Sequence, residues 1–255
     1  TSMAESVEIL WRGFAQALVH ADGLWFMDQG AMWYADDPAN AYYRHPDIVT
    51  ALERMREIGQ ASLAKPRLRK SEVAVISDLR SAFHMVDSDW TEDQALLRLN
   101  HHAVRELSRC GVPFDMYLLS DLAQISEYKS YVFLDAVFLT DEELQQITAL
   151  RERGAQLGFF VAAGLASPRG LSLDRMQDLL SMTLRFSSAP PPHPSLPPAL
   201  LDAPDGVAEA GNTWYCPQPP LAAAVLRRLF RQAGAYVYLE SDDNLLVGCG
   251  YVGMH

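Results

Sequence analysis

The sequence predicts an α/β protein built on a doubly wound parallel sheet, preceded by a separate helix–strand–helix unit. Three observations carry this expectation. Beyond residue 70, short apolar runs alternate with amphipathic segments that open on capping residues. A basic, proline-bearing stretch, Lys65-Pro66-Arg67-Leu68-Arg69-Lys70, divides the chain into residues 1–66 and 67–255. At 255 residues and 49% apolar composition, each part is large enough to bury a core.

In the first part, Val7, Leu10, Trp11, Phe14 and Leu18 recur at helical spacing. After the break at Ala21-Asp22-Gly23 comes Leu24-Trp25-Phe26-Met27, which reads as a buried strand ending in Asp28. A loop rich in Trp33, Tyr34, Tyr42 and Tyr43 follows. Asp47 is placed to cap a second helix carrying Ile48, Leu52, Met55 and Ile58. A strand apolar on both faces belongs inside a covered parallel sheet. No neighbouring strand occurs in the first 70 residues, so the chain is expected to begin partway through a larger domain.

In the second part, Glu72–Ser77 reads as a strand. Thr91-Glu92-Asp93-Gln94 reads as a capping box opening a helix that closes at Cys110-Gly111. Met116–Leu119 and Tyr131–Phe138 read as strands. Thr140-Asp141-Glu142-Glu143 is a second capping box, for a helix ending at Gly154. Leu157–Ala162 reads as a strand and Ser172–Ser181 as a helix. A proline-rich excursion at 189–204 interrupts the pattern. It resumes with strand Thr213–Cys216, helix Leu221–Gln232, strand Ala235–Leu239 and a last strand, Leu245–Gly248. The alternation suggests a flavodoxin-like, doubly wound domain.

Charge narrows the function. The balance of 21 Lys and Arg against 32 Asp and Glu gives −11, which repels phosphate backbones and argues against a nucleic-acid partner. No run approaches the ~20 apolar residues of a membrane span, and TSMAESVEIL lacks the features of a signal peptide. Cys110, Cys216 and Cys249 are too few and scattered for a disulfide framework. Together these point to the cytoplasm.

The motifs exclude more than they establish. Ser77-Asp78 follows the first strand of the second part, where a flavin phosphate would need a glycine-rich loop. Asp78-Leu79-Arg80-Ser81-Ala82-Phe83-His84 has no glycine. Ala162-Ala163-Gly164 sits where an amidotransferase would carry its Cys or Ser, and offers no nucleophile. His101 and His102 face different ways, with only His102 spaced to reach Glu106, so no metal is expected. Glu142-Glu143 suit the helix dipole. Asp28, beside Trp33 and Tyr34 at a strand end, fits sugar contacts, since rings stack on C–H faces while a carboxylate accepts from hydroxyls. It equally fits a capping acid among packing aromatics.

Phe14 through Asp28, then Trp33-Tyr34 and Asp36-Asp37-Pro38, resemble the last unit of the (β/α)8 barrel in glycoside hydrolase family 42 β-galactosidases. Ser71-Glu72-Val73-Ala74-Val75-Ile76-Ser77-Asp78 is similar to the opening strand of that family's next domain. Ala233-Gly234-Ala235-Tyr236-Val237-Tyr238 with Asp242-Asp243-Asn244 is similar to its close. The resemblance implies a barrel remnant over 1–66. It implies a flavodoxin-like, class I amidotransferase-like trimerisation domain without a nucleophile over 67–255.

Retaining glycosidases need two carboxylates ~5 Å apart. In the family these lie on earlier barrel strands, so no catalytic residue is assigned here. Asp28, Trp33 and Tyr34 are the candidate sugar-rim residues, and no cofactor is expected. The resemblance implies a homo-oligomer, a trimer in the family, meeting carbohydrate through the parent enzyme. The alternatives are a non-catalytic carbohydrate-binding or protein-interaction module, and a divergent amidotransferase-like or flavin-binding protein.

Overall fold

The computed structural model describes residues 2–20, 22–26, 42–66, 71–84, 98–184 and 206–254. The chain divides into two compact units, Thr1–Lys70 with Leu245–His255, and Ser71–Asn244. Among the described residues, no helix is long and apolar enough to cross a membrane.

The first unit opens with α1 (Met3–His20). Its apolar stripe buries Leu10 and packs Trp11 and Phe14 against Ile48, Ala51 and Met55 of α2 (Pro46–Ser62). The cap of α2 is His45 rather than Asp47. The His45 Nδ1 accepts the Asp47 N–H at 3.3 Å, and Pro46 takes the first helical position, where its missing N–H costs nothing.

The strand expected over Leu24–Met27 does not form at its described residues. Leu24, Trp25 and Phe26 run irregularly, and Trp25 is 73% exposed. A strand needs a neighbour for its backbone groups, and the described part of residues 1–70 contains none.

The second unit begins with β1 (Val73–Ser77) and a 3₁₀ turn at Leu79–His84. A π-helical turn at Arg98–Ala103 runs into α3 (Val104–Arg109), followed by β2 (Phe114–Leu118) and β3 (Ser130–Phe133). Next come α4 (Asp141–Glu152) and β4 (Gln156–Phe160), then the short pair β5 (Ala166–Ser167) and β6 (Gly170–Leu171). The unit finishes with α5 (Leu173–Leu180), β7 (Ala208–Ala210), β8 (Thr213–Cys216) and α6 (Ala223–Gln232).

The six-stranded sheet runs β2-β1-β3-β4-β8-β7, parallel except for β7. Its alternating side chains feed two cores. Val73 and Val75 pack with Leu107 of α3 and with Leu226 and Phe230 of α6. Ala74 and Ile76 pack with Ile147 of α4 and with Met176 and Leu180 of α5. Burial on both faces is what makes β1 continuously apolar.

Two expected strands are corrected. Ala235–Leu239 forms no strand. The Tyr238 and Leu239 N–H groups instead donate to the Gly111 carbonyl, at 2.8 and 3.4 Å. Gly111 has φ 76°, and a Cβ there would strike the Leu239 carbonyl, so glycine is required on both counts. Leu245–Gly248 is a strand, β9, but it pairs antiparallel with β10 (Tyr251–Met254) and belongs to the first unit, not to the large sheet. Gly248 permits this hairpin to approach the Val19 backbone at the end of α1.

Candidate functional site

The sugar-rim candidates Asp28, Trp33 and Tyr34, like the proline-rich excursion and the capping box at Thr91, lie outside the described residues. The described polar cluster with the most unusual chemistry sits at the carboxyl end of the parallel sheet, where ligands collect in open α/β folds.

There β1 and β3 end side by side, and each delivers a buried aspartate: Asp78 is 5% exposed and Asp135 2%. Asp135 accepts the Asp78 N–H on Oδ1 at 2.6 Å and the Ser77 hydroxyl on Oδ2 at 3.0 Å. Asp78 accepts Arg80 Nε on Oδ1 at 2.9 Å and the Ser81 hydroxyl on Oδ2 at 2.9 Å. Ser81 Oγ in turn accepts the Phe138 N–H at 3.0 Å. Arg80 reaches on to Glu143 at 2.6 Å, which closes the capping box of α4 with Thr140. His84 stacks on Phe138 with ring centroids 4.6 Å apart.

Burial is the main force on Asp135 and pushes its carboxyl up to about 6; the neighbouring Asp78 charge acts in the same direction. The Asp78 N–H and Ser77 hydroxyl oppose that shift. All four carboxylate oxygens of the pair already accept hydrogen bonds from the protein. The pair therefore acts as a latch. It fastens the turn after β1 to the end of β3 and, through Arg80, to α4. The loop whose lack of glycine argues against a phosphate cradle opens on Asp78, and that acid is committed to Arg80 and Ser81.

Asp135 was not singled out in the sequence, because Tyr131–Phe138 reads as one strand. The strand stops at Phe133. An acid directly after the apolar run Tyr131–Leu134 was the available signal. Arg227 was missed as well. It is 7% exposed on α6, donates to the carbonyls of Cys110, Arg109 and Ser241, and pairs with Asp242 at 2.7 Å. Its counter-ion is Asp242, in the Asp242-Asp243-Asn244 segment.

The elbow after β4 is strained. Val161 holds φ 56°, costly for a β-branched residue, and is 2% exposed. Ala162, Ala163 and Gly164 follow it, so the turn carries no nucleophile. Cys110 and Cys216 are buried, and burial pushes both thiols up to about 12, far from a reactive thiolate.

His101 and His102 contact one another edge-on, with centroids 5.5 Å apart. Glu106 pairs with Arg109 and accepts the Ala223 N–H, rather than meeting His102. Among the described residues, no group of three or more His, Cys, Asp or Glu could hold a metal ion. The first unit contains a cavity of about 510 Å³, lined mainly by apolar groups that include Phe14, Leu18, Leu52 and Met55, with Asp22 and Arg56 at its polar side.

The chain shares its fold with GH42 β-galactosidases. It superposes on the β-galactosidase of Bacillus circulans sp. alkalophilus with a TM-score of 0.59 at 13% identity, over 84% of this chain and 38% of that one. For a GH42 β-galactosidase from G. stearothermophilus the TM-score is 0.55 at 12% identity, over 84% and 37%. For the β-galactosidase of the Antarctic haloarchaeon Halorubrum lacusprofundi it is 0.54 at 20% identity, over 81% and 36%. The chain thus spans little more than a third of the length of these β-galactosidases. No protein-family model and no curated protein matches it. At such identities the β-galactosidase likeness is one of fold.

Proposed function

We propose that this chain is the C-terminal assembly portion of a β-galactosidase-like glycoside hydrolase. In this reading the first unit is the end of a (β/α)8 barrel. The second is a flavodoxin-like domain that joins subunits and closes a neighbour's active site. One observation carries the reading: more than four fifths of the chain overlays little more than a third of several longer β-galactosidases. The strand order of the parallel core, with β1 beside both β2 and β3, supports the flavodoxin-like assignment. The nucleophile-free elbow at Val161–Gly164 speaks against amidotransferase chemistry, and the committed Asp78 against a flavin phosphate loop.

On this reading, bond cleavage belongs to a carboxylate pair that this chain does not supply. Asp28, Trp33 and Tyr34 contribute the rim of the sugar pocket, the carboxylate accepting from hydroxyls and the rings stacking on C–H faces. The test is an assay of the purified 255-residue chain on a nitrophenyl β-galactoside, with light scattering alongside. No hydrolysis above buffer and a homo-oligomeric mass are expected. Turnover abolished by Asp28→Ala would overturn the non-catalytic assignment, and a compact monomer at high concentration would overturn the assembly role.

A further inference from the structure

At the amino ends of the parallel strands, two exposed aromatic rings stand on a fixed strap. In Ala235-Tyr236-Val237-Tyr238, Ala235 and Val237 pack into the core of the second unit, while Tyr236 and Tyr238 are 64% and 38% exposed. The two rings meet edge to face, with centroids 4.7 Å apart. The backbone beneath them is held at three points. The Ala235 N–H donates to the Phe230 carbonyl at 2.9 Å, the Tyr238 N–H to the Gly111 carbonyl at 2.8 Å, and the Tyr236 N–H to Glu72 Oε2 at 2.7 Å. A platform fixed in this way loses little further freedom when a ligand settles on it.

A cleft of about 500 Å³ adjoins the platform, lined by Glu127, Tyr128, Lys129, Tyr131, Arg153 and Ala233 among others. Lys129 joins the two. Its Nζ pairs with Glu72 Oε1 at 2.5 Å and donates to the Gly234 carbonyl at 2.8 Å, between Ala233 and the tyrosines. The chemistry of this surface is mixed and balanced. Glu72 and Glu127 offset Lys129 and Arg153, so neither an anion nor a cation is favoured. Glu127 can accept, and Arg153 and the remaining Lys129 proton can donate. A wholly apolar partner would strip these groups of water without replacing it. A neutral polyhydroxylic ligand uses every feature: its hydroxyls donate and accept, and its C–H faces lie on the tyrosine rings. The cleft volume is in the range of small-ligand sites and suits a disaccharide.

We infer that Tyr236 and Tyr238, with Glu127, Lys129 and Arg153 in the adjoining cleft, bind a neutral oligosaccharide, the rings stacking on sugar C–H faces and the charged groups hydrogen-bonding its hydroxyls. The site needs neither the assembly role proposed above nor Asp28, Trp33 and Tyr34.

Titration of the full 255-residue chain with lactose, cellobiose and maltose, followed by saturation-transfer NMR and calorimetry, tests it. At least one of the three should bind, with a dissociation constant on the order of millimolar. Tyr236→Ala should weaken that binding about three- to tenfold and Tyr236→Phe, which keeps the ring, by less. Arg153→Ala should weaken it as well. Tyr236 and Arg153 are exposed, so circular dichroism and the melting midpoint of these variants should match wild type. Glucosamine and glucuronate should bind no tighter than glucose. Tighter binding of either would overturn the neutral ligand class. No binding by any of the three disaccharides, or binding unchanged in Tyr236→Ala, would overturn the site. Binding lost in Asp28→Ala but intact in Tyr236→Ala would overturn it in favour of the rim proposed above.

Discussion

Asp135 accepts the backbone N–H of Asp78 at 2.6 Å, joining the ends of two adjacent parallel strands through a carboxylate sealed from water. The bond favours the charged form and burial opposes it; burial wins, and the carboxyl sits at about 6 against an ordinary 3.8.

Stability should record this. Between about pH 4 and pH 6 the folded chain keeps a proton on Asp135 that the unfolded chain has lost. This group's contribution therefore falls as pH rises through that window, by about 3 kcal/mol in all. Asp135→Asn removes the ionisation and keeps an oxygen for the Asp78 N–H. The stability of the variant relative to wild type should climb by that amount from pH 4 to pH 7, measured by urea unfolding. Parallel profiles for the two proteins would refute it.

Gly158 on β4 pairs in register with Trp214 on β8, and the indole lies where a Cβ would be. Gly158→Ala should therefore cost about 1–3 kcal/mol through overpacking, seen as a lower thermal midpoint. An unchanged melt would show that the Trp214 ring has room to move.

Thr140 caps α4, accepting the Glu143 N–H at 3.2 Å while Glu143 accepts the Thr140 N–H at 2.9 Å. Thr140→Ala should destabilise the chain by about 1 kcal/mol, with Thr140→Ser close to wild type. Equal chemical stability in Ala and Ser variants would deny the cap its role.

All three cysteines are buried, and burial pushes Cys110 and Cys216 up to about 12. A thiol-specific reagent should leave both unlabelled in the native chain and titrate Cys110, Cys216 and Cys249 once guanidinium unfolds it. Rapid native labelling of Cys110 or Cys216 would contradict the packing described.

Much of the second unit was legible because its signals are local. Val73 to Ile76 announce a strand buried on both faces, the Thr140 capping box announces a helix start, and Ala162-Ala163-Gly164 announces a missing nucleophile within a few consecutive residues. The fate of Leu24–Phe26 was not legible: an apolar run reads as a strand whether or not a neighbour exists to pair with it.

The sequence by itself determined the α/β class and the capping box at Thr140, since periodicity and capping are properties of neighbouring residues. Tertiary structure alone decided that Asp135 latches Asp78, that Arg227 finds Asp242, and that the hairpin at Leu245–Met254 joins α1 rather than the large sheet. Each of these is a relation across chain separation, set by which surfaces bury one another and which charges then need a partner.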